Sequence, residues 1–170
     1  MKIYSLHTKQ NLPIPLNKAW DFLSDPRNLK TITPEYMGFN IVSGADRPMF
    51  EGQLIQYIVT PLSGFKTKWV TEITHVRDME YFVDEQRFGP YALWHHKHFI
   101  KEIPGGVEME DLLHYKLPFG VFGQMAHPFL VKPKLDEIFK FREQKLIDLF
   151  GAFEDKEPAQ KGITRKDILN

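Results

Sequence analysis

The sequence predicts an α+β fold in which a twisted antiparallel sheet carries one long C-terminal helix across its concave face. Residues 38–118 alternate between apolar and polar positions and are broken by Gly, Pro, Asp and Ser clusters, the pattern of a strand meander. Beyond residue 131 the period becomes helical. Only residues 16–34 interrupt the strand pattern before the meander begins. A sheet and a helix that each have one apolar face bury those faces against each other, and incomplete filling leaves a ligand cavity between them.

The elements follow in order. Residues 2–12 alternate loosely, with Tyr4, Leu6 and Leu12 against polar neighbours, and Pro13 and Pro15 end the strand. Leu16, Ala19, Trp20 and Leu23 recur at helical spacing. Asp25-Pro26 then reads as an N-cap followed by proline at the first helical position, so a second short helix runs to about Thr33-Pro34. The meander comprises Phe39 to Val42, Gln53 to Thr60, Phe65 to Val76, Tyr81 to Phe88, Tyr91 to Ile103 and Val107 to Leu117. Pro118 to Gly123 is an apolar, glycine-hinged loop that joins the last hairpin to the long helix, and it is a candidate gate. In that helix Val131, Leu135, Ile138, Phe139, Arg142, Leu146, Leu149 and Phe150 form one stripe. Pro128 and Pro133 make its entry irregular, and Phe150-Gly151 ends it. Residues 1–151 therefore form one domain, and 152–170 a polar tail.

Composition narrows the function. The chain has 170 residues and 42% hydrophobic content, enough for one domain with a substantial core. Its 22 basic residues balance 22 acidic ones, so no overall field draws it to nucleic acid or to an anionic membrane surface, and neither is an expected partner. Without cysteine there are no disulfides, thiolate metal sites or cysteine nucleophiles. No apolar run has the length of a signal peptide or a membrane span, so a cytoplasmic protein without stable membrane insertion is expected.

The chemistry concentrates in Trp94-His95-His96-Lys97-His98-Phe99, the turn Pro104-Gly105-Gly106, and Met109 to Tyr115. Strand side chains alternate, so Trp94, His96, His98 and Ile100 share a face. If Gly105 and Gly106 are the two central turn residues, Ile100 pairs with Asp111, His98 with Leu113 and His96 with Tyr115. That face mixes imidazoles, a carboxylate and a phenol with Trp94, Leu113 and Leu117. It is an expensive core unless every polar atom is satisfied, and a partly polar pocket lining fits it better.

A His-x-His pair can present two imidazoles to one metal, with Asp111 as third ligand and a further Asp or Glu from another strand completing a tighter site. Two strand histidines are more often hydrogen-bonded structural groups, so neither a metal nor a cofactor is expected. Asp84 and Gln86 share a face with Phe82, and Arg142 lies inside the apolar stripe. A guanidinium–carboxylate pair across the cavity, to Asp84 or Asp111, either anchors a ligand or fixes the helix. No Gly-x-Ser-x-Gly elbow, His-Glu-x-x-His helix or phosphate-cradling glycine loop is present. Acid–base work by His96 or His98 with Tyr115 stays chemically open.

Several motifs, in their order and spacing, resemble a known group. They are Asn28-Leu29 with Ile32-Thr33-Pro34, then Gly52, Trp69 with Ile73, and Phe82-Val83-Asp84-Glu85-Gln86. Gly89-Pro90, Trp94 with His96 and His98, Gly105-Gly106, Asp111 with Tyr115, Leu117-Pro118, and Ile138-Phe139 with Arg142 follow. Over residues 1–150 the chain resembles the START-like, helix-grip superfamily called SRPBCC, and within it an uncharacterised bacterial branch labelled cell-division-inhibitor-like. The resemblance implies seven antiparallel strands wrapped round the C-terminal helix, with a deep cavity that in relatives holds lipids, sterols, polyketides or hormones.

The expected function is binding or carriage of a small, largely apolar or amphipathic molecule of lipid, polyketide or aromatic type. Its expected lining is Trp69, Phe82, Asp84, Gln86, Trp94, His96, His98, Asp111, Leu113, Tyr115, Phe139 and Arg142. A cyclase, dehydratase or hydrolase using the same cavity is one alternative, and an interaction module without ligand is another.

Overall fold

A computed structural model describes residues 2–62 and 65–154. Residues 155–170 of the expected tail lie outside that range. Seven strands, β1 (Tyr4–Leu12), β2 (Asn40–Ser43), β3 (Gln53–Leu62), β4 (Phe65–Arg77), β5 (Tyr81–Phe88), β6 (Leu93–Ile103) and β7 (Gly106–Lys116), form one antiparallel sheet. Its order is β1-β7-β6-β5-β4-β3-β2, so each meander strand pairs with the next and β1 docks on the last. The α+β expectation holds, sheet and long helix alike.

The helix α1 (Leu16–Leu23) buries Ala19 and Trp20, two of the positions that predicted it. The second short helix is instead a tight 3-10 turn over Pro26–Lys30, followed by another over Glu35–Met37. Its start is as expected: the Asp25 carboxylate accepts from the Arg27 backbone N–H at 2.9 Å, and Pro26 needs no donor in the first turn. The long helix is α3 (Lys132–Phe150), and it ends at Gly151, whose positive φ (+92°) suits glycine.

Two expectations change. Pro118–Gly123 is mostly helical, since α2 covers Gly120–Ala126 and a π-helical turn, His127–Val131, joins it to α3. The wider turn absorbs Pro128, whose missing N–H and ring would break a regular α-helix. The β6–β7 register also moves by two residues: Ile103 pairs with Gly106, so Pro104 and Gly105 are the central pair. Proline fixes φ near −65° and suits the first central position, and Gly105 takes the positive φ (+89°) that the second demands. Gly106 is needed for a different reason: a Cβ there would fall 2.0 Å from the Leu12 carbonyl oxygen of β1. His98 therefore lies opposite Asp111 and His96 opposite Leu113. Because the slip is even, the residues expected to share a face still do.

The inward face of β7 alternates cleanly, burying Val107, Met109, Asp111, Leu113 and Tyr115. Apolar clusters close both ends of α3. Leu146 closes one end with Leu12, Trp20 and Ile100, and Leu135 closes the other with Leu113 and Leu117. The middle of the helix faces a cavity.

Candidate functional site

The cavity between sheet and helix encloses about 480 Å³. Its walls are Ile55, Tyr57, Val59 and Ile73 from β3 and β4, Leu135, Ile138 and Phe139 from α3, and Leu29, Ile32 and Met37 from the connecting turns. Asp84 from β5, His96 and His98 from β6, and Arg142 from α3 form a polar cluster in this apolar lining, while Asp25 and Lys134, which also line it, are paired with Arg27 and Glu137.

Strand register explains the cluster. Asp84 pairs across to His96, and His98 across to Asp111, so two imidazoles on alternate residues of β6 are flanked by one carboxylate from each neighbouring strand. His98 Nε2 is 2.8 Å from Asp84 Oδ2, and His98 Nδ1 is 2.7 Å from Asp111 Oδ1. His96 lies farther from both carboxylates, Nδ1 at 3.5 Å from Asp84 and Nε2 at 3.4 Å from Asp111. Arg142 Nη1 reaches Asp111 Oδ2 at 3.5 Å, and the Trp94 indole N–H donates to Asp84 Oδ1 at 3.3 Å. The His98 ring stacks on Phe82, their centroids 4.2 Å apart.

These distances fix the charges. Burial works against a charged His98, but the carboxylates of Asp111 and Asp84 outweigh it and raise its pKa above the ordinary 6.5. Burial and the adjacent His98 lower the His96 pKa, which favours its neutral form. Burial likewise opposes ionisation of Asp111, yet the Arg142 and His98 charges hold its carboxyl well below the usual range. Asp84 is lowered too, with the His98 hydrogen bond overcoming its desolvation. The surroundings thus favour the carboxylate form of Asp84 and Asp111, the protonated form of His98 and the neutral form of His96. Alignment is incomplete: His96 Nε2, His98 Nδ1, Asp111 Oδ1 and Arg142 Nε are buried without an aligned hydrogen bond among the described residues. The short His98–Asp111 approach is therefore a close ion pair whose N–H is not aimed at the oxygen.

The raised His98 pKa makes stability depend on pH. A group whose pKa rises on folding contributes fully below its unfolded value and loses that contribution as pH climbs through the folded value. Wild-type melting temperature is expected to fall as pH is raised from about 6.5 through the raised His98 value, and His98→Gln is expected to flatten that limb. Parallel melting curves for the two proteins across the range would contradict a charged His98.

Eight of the twelve expected lining residues do line the cavity: Trp69, Phe82, Asp84, Trp94, His96, His98, Phe139 and Arg142. The other four stand outside that lining. Asp111 lies behind the histidines at 1% exposure, and Leu113 is fully buried in the core. The Tyr115 hydroxyl is bonded to His127 Nε2 at 2.7 Å. The Gln86 side chain clamps the β5–β6 loop, donating to the Tyr91 carbonyl oxygen and accepting from the Tyr91 N–H. Sequence reasoning missed the apolar walls from β3 and the turns around Ile32 and Met37. Their alternation marks them as inward, but it does not distinguish a packed core from a cavity wall.

Asp84, His96 and His98 each bring a ligating atom within 4.8 Å of the others, close enough for one divalent ion to bridge. The fourth group that the histidine pair would have needed from another strand is thus Asp84, while Asp111 stands behind both rings. A proton on His98 fills the same electrostatic role and leaves the four charges balanced.

No protein-family model matches the sequence, and no curated protein matches it. Solved structures do. Protein CV1439 from Chromobacterium violaceum superposes with a TM-score of 0.66 at 14% identity, over 88% of this chain and 99% of its own. TTHA0849 from Thermus thermophilus gives 0.64 at 14% identity over 86% and 99%. A norcoclaurine synthase point mutant from Thalictrum, in complex with a transition-state analogue, gives 0.61 at 9% identity over 87% and 96%. At these identities the likeness shows the fold, and that fold is the helix grip.

Proposed function

We propose that this protein binds or carries a small, largely apolar molecule in its central cavity and orients it with the polar cluster at Asp84, His96, His98 and Arg142. The observation that carries this reading is an apolar volume of about 480 Å³ with the cluster of Asp84, His96, His98 and Arg142 in its wall. Such a volume lies within the range of small-molecule sites, where apolar contact gives affinity and a few polar groups give orientation. The buried Arg142 Nε, which lacks an aligned partner, would gain one from a ligand's carbonyl or hydroxyl oxygen. Lipid, polyketide and aromatic molecules all meet that description. Membership of the cell-division-inhibitor-like branch of SRPBCC is part of the same reading, supported by the order and spacing of the motifs around Trp69, Phe82 to Gln86 and His96.

One observation favours a second reading, in which the cavity is catalytic. Burial lowers the His96 pKa and the flanking carboxylates raise that of His98, so an imidazole suited to accept a proton and one suited to donate it stand side by side on the cavity wall, their ring centroids 3.8 Å apart.

Native mass spectrometry of freshly purified protein, compared with the denatured sample, tests both. The expected result is a discrete organic mass released on denaturation, with no stoichiometric metal. A bound compound whose mass changes on incubation supports the catalytic reading. Protein that stays free of adducts when supplied with lipid, polyketide and aromatic carbonyl compounds would defeat the carrier reading.

A further inference from the structure

The end of the sheet where β3, β5 and β7 finish and β4 and β6 begin is unlike the rest of the surface. Large apolar side chains stand out from it. Phe65 at the β3–β4 turn is 77% exposed and Phe88 at the β5–β6 turn 72%; on α2 and the turn after it, Phe122 and Phe129 are 80% and 79% exposed. Val121, Met125 and Leu130 are exposed beside them. α2 has no buried residue at all. Apolar side chains gathered this densely on one end mark an interaction site.

Phe119 adds a separate sign. It sits at the start of α2 in the left-handed region (φ +65°), where a non-glycine residue is strained, and it is 82% exposed. The chain holds an aromatic ring outward at a conformational cost, with no packing gained in return.

Charge identifies the partner. The stretches that lie at this end, 58–70, 86–95 and 113–135, contain no Asp or Glu, although the whole chain balances 22 acidic against 22 basic residues. They do contain Lys66, Lys68 and Lys116, none with a carboxylate partner among the described residues. Nearby carboxylates from other segments are already engaged: Glu72 and Glu85 with Arg87, Asp136 with Lys132, and Glu137 with Lys134. A protruding apolar tip rimmed by unpaired lysines and free of acid matches an anionic lipid surface, whose acyl region takes the aromatics while its headgroups take the lysines. A second copy of the chain would instead bring the same lysines against each other.

We infer that this end of the molecule docks peripherally on anionic membranes through Phe119, Phe122, Phe129 and Phe65, with Lys66 and Lys68 on the headgroups. No helix among the described residues is long and apolar enough to cross a membrane, so contact is superficial. The cavity opens within the docking surface, because Phe119, Gly123 and Leu130 also line it. Docking stands independently of what the cavity holds.

Flotation of the full chain with vesicles of phosphatidylcholine alone, or with phosphatidylglycerol added, tests the inference. Expected is partition onto the anionic vesicles, weaker partition onto neutral ones, and release at high salt. Lys66→Ala with Lys68→Ala is expected to weaken partition roughly 25-fold, about fivefold per lysine. Phe119→Asp with Phe122→Asp is expected to abolish it while leaving the melting temperature unchanged, since both rings are exposed. Folded wild type that stays off anionic vesicles would overturn the inference. So would partition insensitive to lipid charge and salt. A dimer in light scattering that Phe119→Asp with Phe122→Asp disperses, without vesicle binding by the wild type, would assign the surface to self-association instead.

Discussion

Replacing Asp111 by Ala is expected to cost about 3–5 kcal/mol, the range found when one partner of a buried charge pair is removed. Asp111 is 1% exposed and faces His98 at 2.7 Å and Arg142 at 3.5 Å. Its loss would leave two cations facing the single anion Asp84. Release of the His98 proton relieves part of the imbalance, so the His98 pKa should come down. Two measurements therefore belong together. Urea unfolding at neutral pH is expected to show the loss in stability, and an imidazole NMR titration is expected to show His98 deprotonating earlier than in wild type. Asp111→Asn, which keeps shape without charge, should shift the titration in the same direction. A variant within about 1 kcal/mol of wild type, with His98 titrating as before, would mean that the cluster is not held by the charges assigned to it.

Much of this cluster is legible in the sequence, and the illegible part has identifiable physical causes. Period-two alternation places His96 and His98 on one face, and Asp111 joins them in any register of the same parity, because a shift by two residues preserves the face. Register itself is not legible. The paired glycines look like the centre of a turn, but Gly106 is required by the close approach of the Leu12 carbonyl and Pro104 by the turn. Arg142 is visible as one charge in an apolar stripe, and a carboxylate partner is the natural expectation. Which carboxylate, Asp84 or Asp111, depends on the distance between β5 and β7 beneath the helix, and no local pattern carries that. Tyr115 is expected at the cavity and is bonded instead to His127, whose own burial is hidden in an apolar segment that reads as irregular. The exposed aromatics of that segment are legible as hydrophobic and illegible as exposed. Periodicity reports which residues share a face, and only the folded chain shows whether anything covers it.

Arg142→Met separates a structural role for the arginine from a ligand-orienting one. Alone it is expected to destabilise by about 3–5 kcal/mol, because Asp111 and Asp84 are then balanced only by His98. Adding Asp111→Leu removes the surplus anion, and the cluster reduces to the Asp84–His98 pair at 2.8 Å, which is neutral as a unit. Buried charge pairs replaced together by apolar residues of similar volume are often tolerated, so the double variant is expected to regain most of the loss, with a coupling energy above about 2 kcal/mol. Additive losses would show that Arg142 and Asp111 stabilise the fold by separate routes. The double variant also isolates function. It retains the apolar walls, Asp84 and both histidines, and it lacks the one cavity-lining guanidinium whose Nε has no aligned partner. If Arg142 orients the ligand, the folded double variant should lose the organic mass that wild type retains in native mass spectrometry. If it only fixes the helix against the sheet, the mass should stay.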